Sequence, residues 1–269
     1  MRKKIFMTFA LAAVLALPVF AHDLFLKLDS YFLPPNSKVT VKILNGSFQA
    51  SEGAVNFARL KDVSVVAPTG DVTHPQEADF TKDETTSYMN LQTGAAGTYV
   101  VGLSTMPREI DLKAKDFNDY LTEDGLPDTL AERKRDGELE KDARERYAKH
   151  VKAIYQVGDA RTDSYKKVLG YPVEIVPQQN PYQLKVGKTL KILCLKDGKP
   201  LAGQVILAGR EDGTELNIEP EVRTDKKGIA KIRLDGRGKW YVKFINMTKL
   251  SDPKLNYESK WATLTFEIK

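Results

Sequence analysis

Three histidines, His22, His74 and His150, are the only imidazoles in this chain, and any ring-nitrogen chemistry has to use one of them. His22 stands out by position, because the run before it predicts cleavage after Ala21. A histidine that opens a mature chain offers two donors, the α-amine and the ring, able to close a chelate on one metal ion. Their unperturbed pKa values, ~7.7–8.0 and ~6.5, let a metal displace both protons near neutrality. A nitrogen from a second histidine would complete an all-nitrogen set suited to Cu(II), Ni(II), Co(II) or Zn(II), with tetragonal geometry favouring copper or nickel. His150 is the better-placed second ligand. It sits at the edge of an apolar stripe, and Tyr147, three residues earlier, would share its helical face and orient it or approach an axial position. Plainer readings stand beside these. His150 could be a half-buried histidine bonded to a carboxylate or carbonyl, Tyr147 a core tyrosine, His74 before Pro75 an exposed loop residue, and His22 a frayed terminus. Asp23 could add a carboxylate or point to solvent.

Other chemistries are poorly supported. The single cysteine, Cys194, excludes an intramolecular disulfide and any Cys-rich metal site, and its apolar run Leu190–Leu195 predicts a buried core thiol. No G-x-S-x-G is present, and Gly94, Gly97 and Gly102 lack the helix-opening context of a phosphate loop. Trp240, Tyr241, Phe244, Tyr257, Trp261 and Phe266 have the spacing of sandwich packing more than that of a flat stacking platform.

The elements that would position these residues follow from the patterning. Arg2, Lys3 and Lys4 precede an apolar run, Ile5 to Phe20, which ends in Val19-Phe20-Ala21. This is the pattern of an export signal over residues 1–21, and the run is shorter than the ~20 residues a membrane span needs. Removing it takes away three of the five net positive charges. The near-neutral remainder lacks the basic excess of a nucleic-acid protein, and no later stretch is apolar enough to hold it in a membrane. Residues 22–109 read as short strands: Leu24–Leu28, Val39–Ile43, Val63–Val66 and Thr98–Val101, divided by Pro/Gly/Asn/Asp turns. Residues 110–158 read as a helical insert packed on that first domain, with helices over Asp116–Asp124, Asp128–Arg135 and Gly137–Val157. In the last, Leu139, Ala143, Tyr147, Val151 and Ile154 form the stripe, and the charged residues between them read as a solvated face. A polar linker, 159–171, leads to a second strand-rich stretch, 172–269. Its candidate strands are Val173–Val176, Thr189–Leu195, Gln204–Ala208, Ile229–Leu234, Trp240–Ile245 and Trp261–Ile268. The fold class predicted is mainly β: two immunoglobulin-like β-sandwich domains with a helical insert between them.

Several segments, in order, resemble the domain-of-unknown-function 4198 family of exported bacterial proteins. They are His22-Asp23-Leu24-Phe25-Leu26, Phe117-Asn118-Asp119-Tyr120-Leu121 with Glu123-Asp124-Gly125-Leu126, and Arg144-Glu145-Arg146-Tyr147-Ala148-Lys149-His150. Gly198-Lys199-Pro200-Leu201-Ala202-Gly203, Thr224-Asp225, Gly238-Lys239-Trp240 and Trp261–Phe266 continue the match. The resemblance implies two β-sandwich domains, periplasmic or secreted placement and a role near nickel or cobalt uptake. An inner-membrane uptake transporter would be the partner. The opening motif often carries tryptophan where this chain has Phe25 and Leu26.

The expected function is therefore a periplasmic binding protein for nickel, cobalt or copper, with His22 and His150 as metal ligands, Tyr147 behind them and no catalytic residue. The alternatives are a non-metal binding or adhesion module, and a copper enzyme with an N-terminal-histidine site.

Overall fold

The computed structural model describes residues 22–269, apart from Thr214 and the side chain of Glu215; the expected signal segment, 1–21, lies outside the described residues. Setting aside two-residue ladders, the N-terminal strands are β1 (Asp23–Leu28), β2 (Lys38–Gly46), β3 (Leu60–Val66), β4 (Phe80–Lys82), β5 (Ser87–Gln92), β6 (Gly97–Thr105) and β7 (Arg108–Leu112). Two helices follow, α1 (Ala114–Glu123) and α2 (Pro127–Arg135), and then a long strand, β8 (Ala143–Val157). The C-terminal strands are β9 (Val173–Pro177), β10 (Thr189–Lys196), β11 (Val205–Asp212), β12 (Glu215–Ile218), β13 (Ile229–Arg233), β14 (Gly238–Asp252) and β15 (Leu255–Ile268). The protein is mainly β, as its strand-like patterning predicts.

Two sandwich cores share one central sheet. Its main path runs β12-β11-β14-β15-β8-β6-β3, so strands from both ends of the chain lie side by side. The joint is a parallel pairing of β8 with β15, from Glu145 opposite Tyr257 to Ala153 opposite Thr265. A small sheet, β1-β2-β5-β4, covers one face. There Leu24, Leu26 and Leu28 meet Val101, Leu103, Val151, Ala153 and Tyr155. β9, β10 and β13 cover the other face, where Ile175, Ile192 and Cys194 meet Trp240, Val242, Leu264 and Phe266. Alternate residues of a strand point to opposite faces, so Val151, Ala153, Tyr155 and Val157 of β8 serve the first core and Ile154 the second.

The helical insert is smaller than its composition suggests. Helices form at Ala114–Glu123 and Pro127–Arg135, close to expectation, but Gly137–Val157 is not a helix: Ala143–Val157 is the central strand β8. Arg144 and Arg146 are exposed as expected, but Glu145, Lys149 and Lys152 are buried on it together with Gln156, so the charged residues of its inner length are not a solvated face. A strand covered on both faces has no polar side to alternate with, and these buried polar groups erase the period-two signal. Nor does the insert sit chiefly on the N-terminal sheet. Phe117, Tyr120, Leu121 and Leu126 pack with Ile245, Tyr257 and Trp261 of β14 and β15. The expected linker is docked as well. Glu174 accepts the backbone N–H groups of Leu169, Gly170 and Tyr171 at 2.7–2.9 Å. Gly102 leaves room for that segment, since a Cβ there would lie 2.2 Å from Leu169 Cδ1.

Candidate functional site

His22 directly precedes β1, and β1 is pinned along its length. It is an edge strand, whose free carbonyls would otherwise invite non-native pairing. Thr263 and Thr265 of β15 donate their hydroxyls to the carbonyls of Leu24 (2.9 Å) and Leu26 (2.5 Å). Lys27 forms a largely buried ion pair with Glu211. His22 is therefore held at a fixed place. Its Nε2 lies 3.4 Å from Glu52 Oε2, its ring is partly exposed, and its carbonyl accepts a short hydrogen bond from Lys149 Nζ.

Below His22 is a cavity of about 250 Å³. Arg59, Arg108 and Lys149 line it with Asn45, Asn56 and Tyr147, and Leu24, Val55 and Ile110 supply apolar wall. None of the described residues lining it is acidic. Burial, and next the charge of Arg108, holds the Arg59 guanidinium below its ordinary pKa, with Tyr147 opposing. Arg59 Nε finds no hydrogen-bond partner among the described residues. Lys149 is almost wholly buried, and burial pushes its ammonium down to about 8; Asp23 opposes that fall and Arg59 adds to it. The cavity is a concentration of positive charge and hydrogen-bond donors.

A buried acid cluster lies beside it. Asp23 turns inward to Lys243 of β14, which also holds Asp124 at the end of α1 at 2.7 Å. Burial would lower Lys243, but the two carboxylates outweigh it and raise it. Burial pushes Asp124 up to about 6, against the pull of Lys243. Glu145 on β8 is pushed up to about 7 by burial, although Ser259 and Tyr120 donate hydrogen bonds to it. Asp23 Oδ1 and Glu145 Oε2 are without a partner among the described residues.

His150 is elsewhere. It is an even-numbered residue of β8, 3 % exposed, on the face opposite Lys149. Its Nδ1 lies 2.9 Å from Ser104 Oγ, its ring sits 5.9 Å from that of Tyr171, and its Nε2 has no partner among the described residues. Burial, then the charges of Lys260 and Lys61, pushes it down to about 4, so it is neutral at physiological pH. Tyr147, an odd-numbered residue, borders the His22 cavity, and it also lines a smaller hollow of about 80 Å³ with His150. The sheet thus separates His22 from His150, and the two do not form a common chelate in this arrangement. No group of three or more His, Cys, Asp or Glu side chains among the described residues is arranged to hold a metal ion.

The remaining candidates take their plainer readings. His74 is 58 % exposed and sits near Asp62 and the Val63 carbonyl. Cys194 is fully buried, and burial alone raises its thiol well above the usual range. Trp240, Tyr241, Phe244, Tyr257, Trp261 and Phe266 are all core residues. Arg59, Arg108 and Lys149 were missed. They come from separate stretches, and only a basic residue inside the run Tyr147–Ile154 hinted at one of them.

Three solved structures share a loose resemblance, each below a TM-score at which shape supports an argument. Dimeric latent PorU from Porphyromonas gingivalis is 10% identical at TM-score 0.22, covering 92% of this chain and 20% of that one. The D0-D1 domain of Intimin is 12% identical at 0.20, covering 89% and 95%. A tetra-tandem repeat from the extending region of a large adhesion protein is 10% identical at 0.23, covering 93% and 50%. This chain therefore spans about a fifth of the first of these and half of the third. No curated protein matches the sequence. Residues 19–248 match a family described as a domain of unknown function, and the chain belongs to that family, DUF4198.

Proposed function

We propose that this protein is an exported binding protein whose ligand is held in the cavity beneath His22. The observation that carries this reading is the convergence of Arg59, Arg108, Lys149, Asn45 and Asn56 on one concavity with an apolar wall. A preformed hollow with a few convergent polar groups is the usual form of a small-molecule site. Export is supported by the signal pattern of residues 1–21. The test is native mass spectrometry of processed protein, its terminus confirmed by intact mass, taken from the cell envelope. A small molecule should accompany the wild type and be lost in Asn56→Trp, which fills the cavity. If nothing accompanies the wild type, or the plugged variant retains it, the reading fails.

A second reading is favoured by one contact, His22 Nε2 to Glu52 Oε2. On a chain that begins at His22, the α-amine, the ring and Glu52 would be the donors for Ni(II), Co(II) or Cu(II), and an uptake transporter would be the partner. The three cations nearby oppose a bare divalent ion. Metal titration should show binding that is lost in His22→Ala and when one residue is added before His22, and kept in His150→Ala. Absence of binding by all three metals would end this reading.

A further inference from the structure

We infer that the ligand of this cavity is a small organic acid, bound as its carboxylate anion. The inference rests on reading the cavity as a binding site and adds the chemical class. Its ground is a contrast between the cations of the cavity and buried cations elsewhere in the protein, which are either neutralised by a carboxylate or, like Arg133, held by an array of neutral oxygen acceptors. Lys27 is paired with Glu211, Lys152 with Glu174, Lys243 with Asp23 and Asp124, and Arg210 with Asp235. Buried Lys149, half-buried Arg59 and the more exposed Arg108 share one hollow, and none of them has a carboxylate within ion-pair distance among the described residues. Like charges gathered without a directly paired counter-charge are costly at reduced dielectric, and the neighbouring Asp23, Asp124 and Glu145 make no ion pair with any of the three. Arg59 Nε, without a partner among the described residues, marks the same deficit, since a buried N–H that lacks an acceptor is destabilising. One carboxylate would remedy both, because guanidinium groups present paired N–H donors that match its two oxygens.

The remaining lining argues for a carbon skeleton on that anion. Leu24, Val55 and Ile110 offer contact that a hydrated inorganic ion cannot use, and the volume is far larger than one such ion fills. Asn45, Asn56 and Thr105 can hydrogen-bond a hydroxyl or a second acid group.

The test is calorimetric titration of the processed full-length protein, at low ionic strength, with succinate, glutarate and benzoate. Each acid is run beside its amide, and inorganic phosphate is run alone. At least one acid should bind, its amide should not, and added salt should weaken binding. The double substitution Arg59→Met/Arg108→Met should weaken binding about tenfold or more. Lys227→Met, in a distant exposed turn, should leave it unchanged, and unaltered thermal melting should show that each variant folds. Equal binding of the amide, full affinity in the double variant or preference for phosphate would overturn the inference. If no acid binds while a neutral compound accompanies the wild type and not Asn56→Trp, the carboxylate is wrong and the cavity reading stands. If neither is seen, both fall.

Discussion

Lys149 and His150 are consecutive residues that serve opposite faces of one strand. Lys149 Nζ donates to the His22 carbonyl on one side, and His150 Nδ1 meets Ser104 Oγ on the other. Strand parity separates the two histidines that a helical reading would have let converge. The charged side chains lining the cavity below His22 are instead arginines and a lysine, which favours an anion over a cation there.

His150 is accordingly expected to be a structural residue. His150→Ala should cost about 1–3 kcal/mol in urea unfolding, because it opens a void beside Ser104 and Tyr171. The same variant should leave binding of any ligand at the His22 cavity within about twofold of wild type. A sharp loss of binding with no loss of stability would contradict the separation.

Stability should depend on pH through two opposed groups on the same strand. Glu145 carries a folded-state pKa of about 7, raised by burial from an ordinary value of 4.5. The folded state therefore binds more protons than the unfolded chain between those values. The contribution is full below the ordinary value and is lost as pH rises through the folded one. His150, lowered by burial to about 4 from 6.5, acts oppositely: the unfolded chain takes the proton first, so stability falls as pH drops through that window. Asp124, raised to about 6, acts with Glu145. Glu145→Gln should thus stabilise the protein near pH 8 by up to ~3 kcal/mol, with little gain near pH 4. Urea unfolding across that range measures it. A gain that is the same at every pH would mean Glu145 does not titrate as its burial requires.

What could be read from the chain in advance tracks how local each signal is. Val39–Ile43 alternates because β2 has one covered face and one wet face, and α1 and α2 follow their own periodicity and stops. Ala143–Val157 has neither aid. Both of its faces are covered from Lys149 onward, and Glu145, Lys149, His150 and Lys152 are stabilised by partners far away in sequence. Its apolar residues at three- and four-residue steps were a coincidence of composition. The cavity was less visible still, since Asn45, Arg59, Arg108 and Lys149 meet only after the β8–β15 pairing and the docking of β1.

The pair Lys152–Glu174 ties the docked segment before β9 to the central sheet. Both side chains are at most 2 % exposed and lie 3.0 Å apart, and Glu174 also takes three backbone N–H groups. Glu174→Ala should cost about 3–5 kcal/mol, since it strands a buried ammonium as well as those N–H groups. Lys152→Met alone should cost a similar amount, and the double variant less than the sum of the two. A double-mutant cycle by denaturant unfolding gives the coupling directly. Additive losses would show that the two side chains act independently.

Arg133 plays the matching part for the helical insert. It is the buried residue of α2, 1 % exposed, and its guanidinium lies over the Phe117 ring at 4.8 Å. It donates to Asn118 Oδ1 at 2.9 Å and to the carbonyls of Glu138 and Lys141, both at 2.7 Å. One planar group thereby fixes α1, α2 and the turn that leads into β8. Lysine keeps the charge but cannot reach three acceptors in a plane or stack on the ring. Arg133→Lys should therefore loosen residues 136–142 before it unfolds the sheet, with a stability loss of about 2–4 kcal/mol. Amide hydrogen exchange should rise in that turn and in α2, while β14 and β15 keep their protection. If exchange rises equally throughout the central sheet, the insert is an inseparable part of the sandwich rather than a separately latched cover.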